Sequence, residues 1–176
     1  MNEIRFYRAT GKYGFLSNLY PCRLVYYDGI VFASTEHAYQ WFKAKDEKTK
    51  EWIRMAPYPR LAAIAGHGLF PYDVNPNWNK YNSGNGLADT GEESLRYKVV
   101  VMRGVLLNKF SHNPDLADKL LETGDALLIE DSKTDSYWGI GKKGDGQNWL
   151  GKCLMDVRKL IRKKREARGH EGSIVR

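Results

Sequence analysis

Two short runs rich in β-branched and aromatic residues, 23–27 and 30–33, flank Asp28-Gly29. That dipeptide suits the type I′ turn of a β-hairpin, so a short hairpin is predicted there. Ser34 and Thr35 follow, either of which can cap a helix over EHAYQWFKAKDEKTKEWIRM, with Glu36 in the first turn where its charge meets the helix dipole favourably. The pattern predicts one helix ending before Pro57, then a short one from Pro59 to Ala65 closed by Gly66. Thr90 and Glu93 have capping-box spacing and open a helix in which Leu95, Val99, Met102, Leu106 and Phe110 recur at intervals of three and four. Asn113-Pro114 starts another helix, carrying Leu116, Leu120 and Leu121 and stopped by Gly124. Ala126 to Ile129 is a short strand. The last helix begins after Asn148, with Leu150, Cys153, Leu154, Val157, Leu160 and Ile161 on one stripe.

The stretch 67–89 breaks this periodicity. It holds Pro71, Pro76 and five asparagines between Asn75 and Asn85, which marks a long irregular loop or an insertion. The expected architecture is a helix-dominated α+β single domain with a small N-terminal antiparallel hairpin or sheet, spanning 1–162, with a basic C-terminal tail over 163–176.

At 176 residues, 42% of them apolar, the chain has the size and apolar content of one folded domain. No run approaches the roughly 18 apolar residues that span a bilayer, and MNEIRFYRATGKYG lacks the apolar stretch of a secretory signal. A cytoplasmic protein with no membrane partner is expected. Cys22 and Cys153 form no CxxC pair, and His37, His67, His112 and His170 have no metal-type spacing, so no disulfide framework, metal or cofactor is expected. The net charge is +7, and eight basic against two acidic residues lie between Arg158 and Arg176. Such a patch suits the phosphates of nucleic acid, but equally the negative end of a helix dipole.

Three segments carry candidate chemistry. On a helix, Glu36, Gln40 and Lys43 share one face. A carboxylate can steady an oxocarbenium-like centre or activate water, and an amide can orient a sugar hydroxyl. A lysine buried among aromatics such as Trp41 and Phe42 loses its proton more readily and can attack a sugar C1′. The competing reading makes Glu36 a dipole partner and Lys43 a solvated helix lysine. His37 does not make this a zinc site, since HExxH needs the opposite order and a second histidine.

The second segment, Trp138 to Asn148, has four glycines between Gly139 and Gly146 and leads into the last helix, an arrangement that suits a phosphate or diphosphate. It is neither a Rossmann nor a Walker motif, and a glycine-rich turn without ligand is the alternative. The third, Phe15-Leu16-Ser17-Asn18-Leu19-Tyr20, flanks small polar residues with rings, either to stack and read a base or as core and turn.

Together, FLSNLYP, STEHAYQWFKA, VMRGVLLNKF and the run from NPDLADKLL through DSYWGIGKKGDGQNWLGKCLMDVRKLI resemble the NADAR (YbiA-like) family over most of the chain. The resemblance implies an N-glycosidase that hydrolyses a ribosyl C–N bond, with ADP-ribose on guanine, free or in nucleic acid, as the foremost substrate. Ribosylamino pyrimidine phosphates of riboflavin synthesis are the alternative, and a non-catalytic ADP-ribose-binding module a further one. By motif match, Glu36 is the catalytic carboxylate, Lys43 captures the opened ribose, and Asp135 completes the catalytic set. Trp138 closes the pocket, while Gly139, Gly141, Gly146 and Asn148 hold phosphate. Phe15, Ser17, Asn18, His37 and Gln40 are the other expected substrate contacts. Ser94 stands where the family often has tryptophan, and Trp78 substitutes for it only if the Asn-rich stretch folds over the site.

Overall fold

The Ser34 hydroxyl accepts the His37 N–H and starts helix α1, Thr35–Lys43. In this computed structural model the described residues are 2–26, 28–66, 74–80 and 96–171. The single helix expected from Glu36 to Met55 is two. Ala44 turns extended at the end of α1, and the Asp46 side chain takes the Thr49 N–H at 2.8 Å to cap α2, Glu47–Arg54. Asp46 is a stronger local signal than the periodicity running through it, because an N-cap carboxylate satisfies an orphan N–H that a continuous helix would use elsewhere. Helix α3, Pro59–Gly66, then packs back on α1.

The hairpin pairs β2, Leu24–Val25, with β3, Val31–Phe32. Its turn is not type I′. Among the turn's described residues Gly29 alone has positive φ (+79°), its N–H bonds the Tyr26 carbonyl, and the Tyr26 N–H bonds the Ile30 carbonyl. This is the longer loop with glycine at the left-handed position, and Asp28 Oδ1 accepts the Ile30 N–H at 3.1 Å. A second sheet escaped the sequence pattern: β1, Glu3–Phe6, runs parallel to β4, Leu127–Glu130, pairing Phe6 with Glu130. Strands of four residues so far apart in sequence carry no local signal of their partnership.

Helices α4, Tyr97–His112, and α6, Trp149–Glu171, form the centre, with α5, Pro114–Glu122, beside them. Val99, Met102, Leu106 and Phe110 bury against Leu150, Cys153, Leu154 and Val157, and truncating any one to alanine should cost about 2–5 kcal/mol. Leu160, expected on the buried stripe, is 40% exposed. The capping box at Thr90 and Glu93 lies outside the described residues, as do Leu95 and Ser94. Arg96 is non-helical, so the described helix begins at Tyr97.

Residues on either side of 81–95 meet. Tyr97 N–H bonds the Lys80 carbonyl at 2.8 Å and Lys98 N–H the Trp78 carbonyl at 3.3 Å. The basic stretch after Val157 continues α6, and part of its charge is structural. Arg158 is buried, donating to Thr123 Oγ1 and the Ala126 carbonyl, and Arg162 reaches Asp125 and the Gly124 carbonyl.

Candidate active site

A cleft of about 600 Å³ opens between α1, the start of α4, the Ser17–Leu19 loop and the C-terminal end of β4. Two other hollows have similar volumes, about 500 Å³ beside Trp41 and about 580 Å³ beside Phe15 and Tyr20. The first also gathers three carboxylates, Asp28, Glu47 and Glu51, but Glu47 is paired with Lys50 and Glu51 with Arg54, and no lysine lines it among the described residues; the second gathers one carboxylate, Glu122. The large cleft instead brings together three carboxylates, two amines and several aromatic walls, the convergence expected of a reactive site.

Glu36 sits in the first turn of α1, buried, with its N–H on the Asn18 carbonyl at 3.1 Å. Its Oε1 accepts from Gln40 Nε2 at 2.8 Å. Lys43, half-buried on the same face, donates to the Gly66 carbonyl at 2.5 Å. Burial pulls its amine below the ordinary lysine range, and the neighbouring Glu36 opposes that shift. A Cβ at Gly66 would lie 1.9 Å from Gln40 Oε1, so a larger residue there would displace the Gln40 amide. Close approach of α3 to α1 thus holds both the amide and the amine.

The Ser17–Leu19 loop is tied down from behind. Lys109 is fully buried and donates to the Ser17 carbonyl at 3.1 Å, and burial lowers its pKa to about 8. Asn18 turns its amide to Met102 Sδ at 3.4 Å. Across the cleft, Asp135 Oδ1 accepts the N–H groups of Tyr137 and Trp138, both at 2.8 Å, which orients the carboxylate. Trp138 packs edge-on against Tyr39, 5.5 Å between ring centroids, and Tyr39 in turn against Trp78 at 4.9 Å. Burial, helped by Glu36, drives the Tyr39 phenol well above its ordinary pKa. Trp78 therefore does line the cleft, supplied from within the Asn-rich stretch.

Several expected contacts lie elsewhere. His37 is fully buried behind α1, its ring bonded to Ser34 Oγ at 2.7 Å and the Ala56 carbonyl at 3.0 Å, so it is a core histidine. Burial lowers its pKa. Phe15 is core and borders a different hollow.

The glycine-rich loop is the larger correction. Many of its N–H groups face inward: Gly141 bonds the Asp135 carbonyl, Gly146 that of Ile140, and Asn148 that of Gly139, at 2.8–3.0 Å. The first N–H groups of α6, on Trp149 and Leu150, are taken by the Tyr137 and Trp138 carbonyls. Nothing in that set is left to cradle an anion. The glycines are needed for close packing instead, since a Cβ on Gly146 would lie 2.6 Å from the Gly139 carbonyl oxygen and one on Gly139 2.8 Å from that of Glu130. Asn148, at φ +53°, bridges to β4, accepting the Glu130 N–H at 3.0 Å and donating to the Leu128 carbonyl at 2.8 Å.

Sequence reasoning missed Glu130 and Lys98, both on the cleft wall. A lone acid closing the apolar run Leu127-Leu128-Ile129 was the available signal for Glu130. Lys98, whose Nζ lies 3.6 Å from the centre of the Tyr137 ring, carried none. Among the described residues, no group of three histidine, cysteine or carboxylate side chains is placed to hold a metal ion, and no helix is long and apolar enough to cross a membrane.

Comparison with known proteins gives a consistent result. Residues 5–162 match the NADAR domain. N-glycosidase YbiA of Shigella flexneri serotype 5b is 35% identical over 158 residues, covering 90% of this chain and 88% of that protein. A riboflavin biosynthesis protein of Vibrio vulnificus is also 35% identical over 158 residues, covering 90% of this chain but 38% of its own length. The NMR structure of Escherichia coli YbiA superposes with a TM-score of 0.76 at 32% identity, covering 93% of this chain and 87% of that one.

Proposed function

The chain belongs to the NADAR family and is an N-glycosidase; we propose that it hydrolyses the C–N bond between a ribose and a nucleobase, with ADP-ribose on guanine as the foremost substrate. The observation that carries this reading is the convergence of Glu36 and Lys43 on one buried helix face inside an aromatic-walled cleft. Tyr39, Trp78 and Trp138 offer the ring surfaces a base packs against, and the Gln40 amide holds Glu36 while facing the space a sugar would occupy.

In this mechanism the Lys43 amine, with its proton affinity lowered by burial, attacks C1′. The C1′–N electron pair leaves with the base, which takes up a proton. The ribose ring opens to a Schiff base on Lys43, and water then hydrolyses it, restoring the amine and releasing the sugar. Glu36 opposes the positive charge developing at C1′ and accepts a proton from the water. Asp135 orients the sugar from the opposite wall.

A second reading keeps the chemistry and changes the substrate to a ribosylamino pyrimidine phosphate. Two observations favour it: the name of the Vibrio relative, and the inward-facing glycine loop, which removes the expected diphosphate cradle. Base release measured by mass spectrometry from a guanine-ADP-ribosylated oligonucleotide and from the pyrimidine phosphate, at equal concentration, separates the two. Cleavage of the oligonucleotide supports the first reading, and cleavage of only the pyrimidine moves the assignment to the second. If the substrate is carried on nucleic acid, rising salt should weaken its cleavage steeply.

A further inference from the structure

Glu130 is built into the cleft in a way that ion pairing does not explain. It is the last residue of β4, and its backbone is fixed on both sides: its N–H goes to Asn148 Oδ1 at 3.0 Å and its carbonyl accepts the Ile140 N–H at 3.1 Å. Gly139 allows that approach, since any Cβ there would crowd the Glu130 carbonyl. The side chain lines the cleft, and its Oε2 is buried with no hydrogen-bond partner. A buried carboxylate oxygen without a donor is costly if charged and acceptable if it carries a proton.

The charged groups around it favour the proton. Burial above all, and then the negative charges of Asp135 on the following turn and Glu36 on α1, raise its pKa to about 8. The other charged cleft residues are Lys43 on α1 and Lys98 on α4. On β1, Phe6 is its apolar strand partner, and just before α6 the neutral Asn148 amide oxygen accepts its backbone N–H.

We propose that Glu130 is the acid that protonates the departing nucleobase, held in place by the glycine-rich loop and Asn148. The inference rests on the N-glycosidase reading of this cleft. As the C1′–N bond breaks, its electron pair passes to the base nitrogen and the Glu130 proton is transferred there. Lys43 takes the place of the base at C1′; when water later hydrolyses the Schiff base, its hydroxide goes to C1′ and its remaining proton passes through Glu36 back to Glu130. Three carboxylates thereby divide the work: Glu36 faces the developing positive charge, Asp135 is oriented by two backbone N–H groups, and Glu130 holds the proton.

Two measurements test this on the intact chain. Carbon-13 NMR titration of the glutamate carboxyls, assigned by loss of one signal in Glu130→Gln, should show Glu130 protonated at pH 7, and an ionised Glu130 at that pH overturns the proposal. Base release by Glu130→Gln should fall about 10²- to 10³-fold, and the alkaline decline of the wild-type kcat/KM should vanish. Glu130→Asp, which keeps the acid, should recover part of the rate and restore that decline. Full activity in a folded Glu130→Gln protein, or an unchanged pH profile, overturns the role. A wild-type protein that cleaves neither ribosyl substrate sinks the N-glycosidase reading and the donor role with it, whereas an active wild type with an unaffected glutamine variant sinks the donor role alone.

Discussion

The glycine-rich loop and the α1 face of the cleft both looked like functional sites, yet they treat their polar groups in opposite ways. In the loop, the N–H groups of Ile140, Gly141, Gly144 and Gly146 through Leu150 turn inward to neighbouring carbonyls, and Asn148 closes onto β4 with both ends of its amide. In the cleft, Asn18 Oδ1, Gln40 Oε1 and Glu130 Oε2 are buried without partners. Buried polar atoms are paired in nearly all of a folded protein, and these three face a space where a ligand could complete them, whereas the buried unpartnered atoms of Tyr26, Thr35 and Arg103 lie outside the cleft lining. In the proposed reading the loop is scaffold and the cleft is the site. A glycine motif alone does not tell the two apart, because close backbone packing and anion binding both require the missing side chain.

That contrast is best broken at its extremes. Glu36→Gln removes a charge from the cleft but leaves the fold intact, so base release should drop about 10³-fold while the thermal midpoint stays within a few degrees. Gly146→Ala should do the reverse, costing on the order of 3 kcal/mol in urea denaturation, because the new methyl would collide with the backbone at Gly139, Ile140 and Ser136. An alanine at Gly146 that left stability untouched and abolished binding would return the loop to the role of a phosphate cradle.

Most helices were legible because each has a strong local boundary: Ser34 before α1, Pro59 opening α3, Pro114 opening α5 and Gly124 at φ +58° ending the turn after it. The break inside the first long helix was legible in principle, since Asp46 stands three residues before Thr49, but helical periodicity ran across it. The pairing of β1 with β4 was not legible, as it joins residues more than a hundred positions apart. At the site, Glu36, Gln40 and Lys43 followed from helical spacing, whereas the burial of His37 depends on Ala56 beyond α2 and the setting of Glu130 on Glu36 and Asp135, neighbours that one segment does not reveal.

Smaller substitutions sharpen the contrast. Asn148→Ala removes two hydrogen bonds to β4 and should cost about 2 kcal/mol in denaturant titration. It should lower kcat through Glu130 more than it raises KM, since Asn148 lies outside the cleft lining. Glu130→Gln should stabilise the protein at alkaline pH. The folded pKa of Glu130 lies above the unfolded value, near 8 against about 4.5, so wild-type stability is fullest below 4.5 and is lost as pH rises through 8. Glutamine has no such loss. Its thermal midpoint should equal that of the wild type near pH 4 and exceed it above pH 8.

The central claim is that the cleft performs the bond cleavage through a lysine on α1. Borohydride added during turnover, followed by peptide mass spectrometry, tests it most directly. The account predicts a reduced ribosyl adduct on the peptide carrying Lys43, present in the wild type and missing in Lys43→Gln. Base release at full rate with no adduct, or an adduct confined to the lysines of the glycine-rich loop, would contradict it.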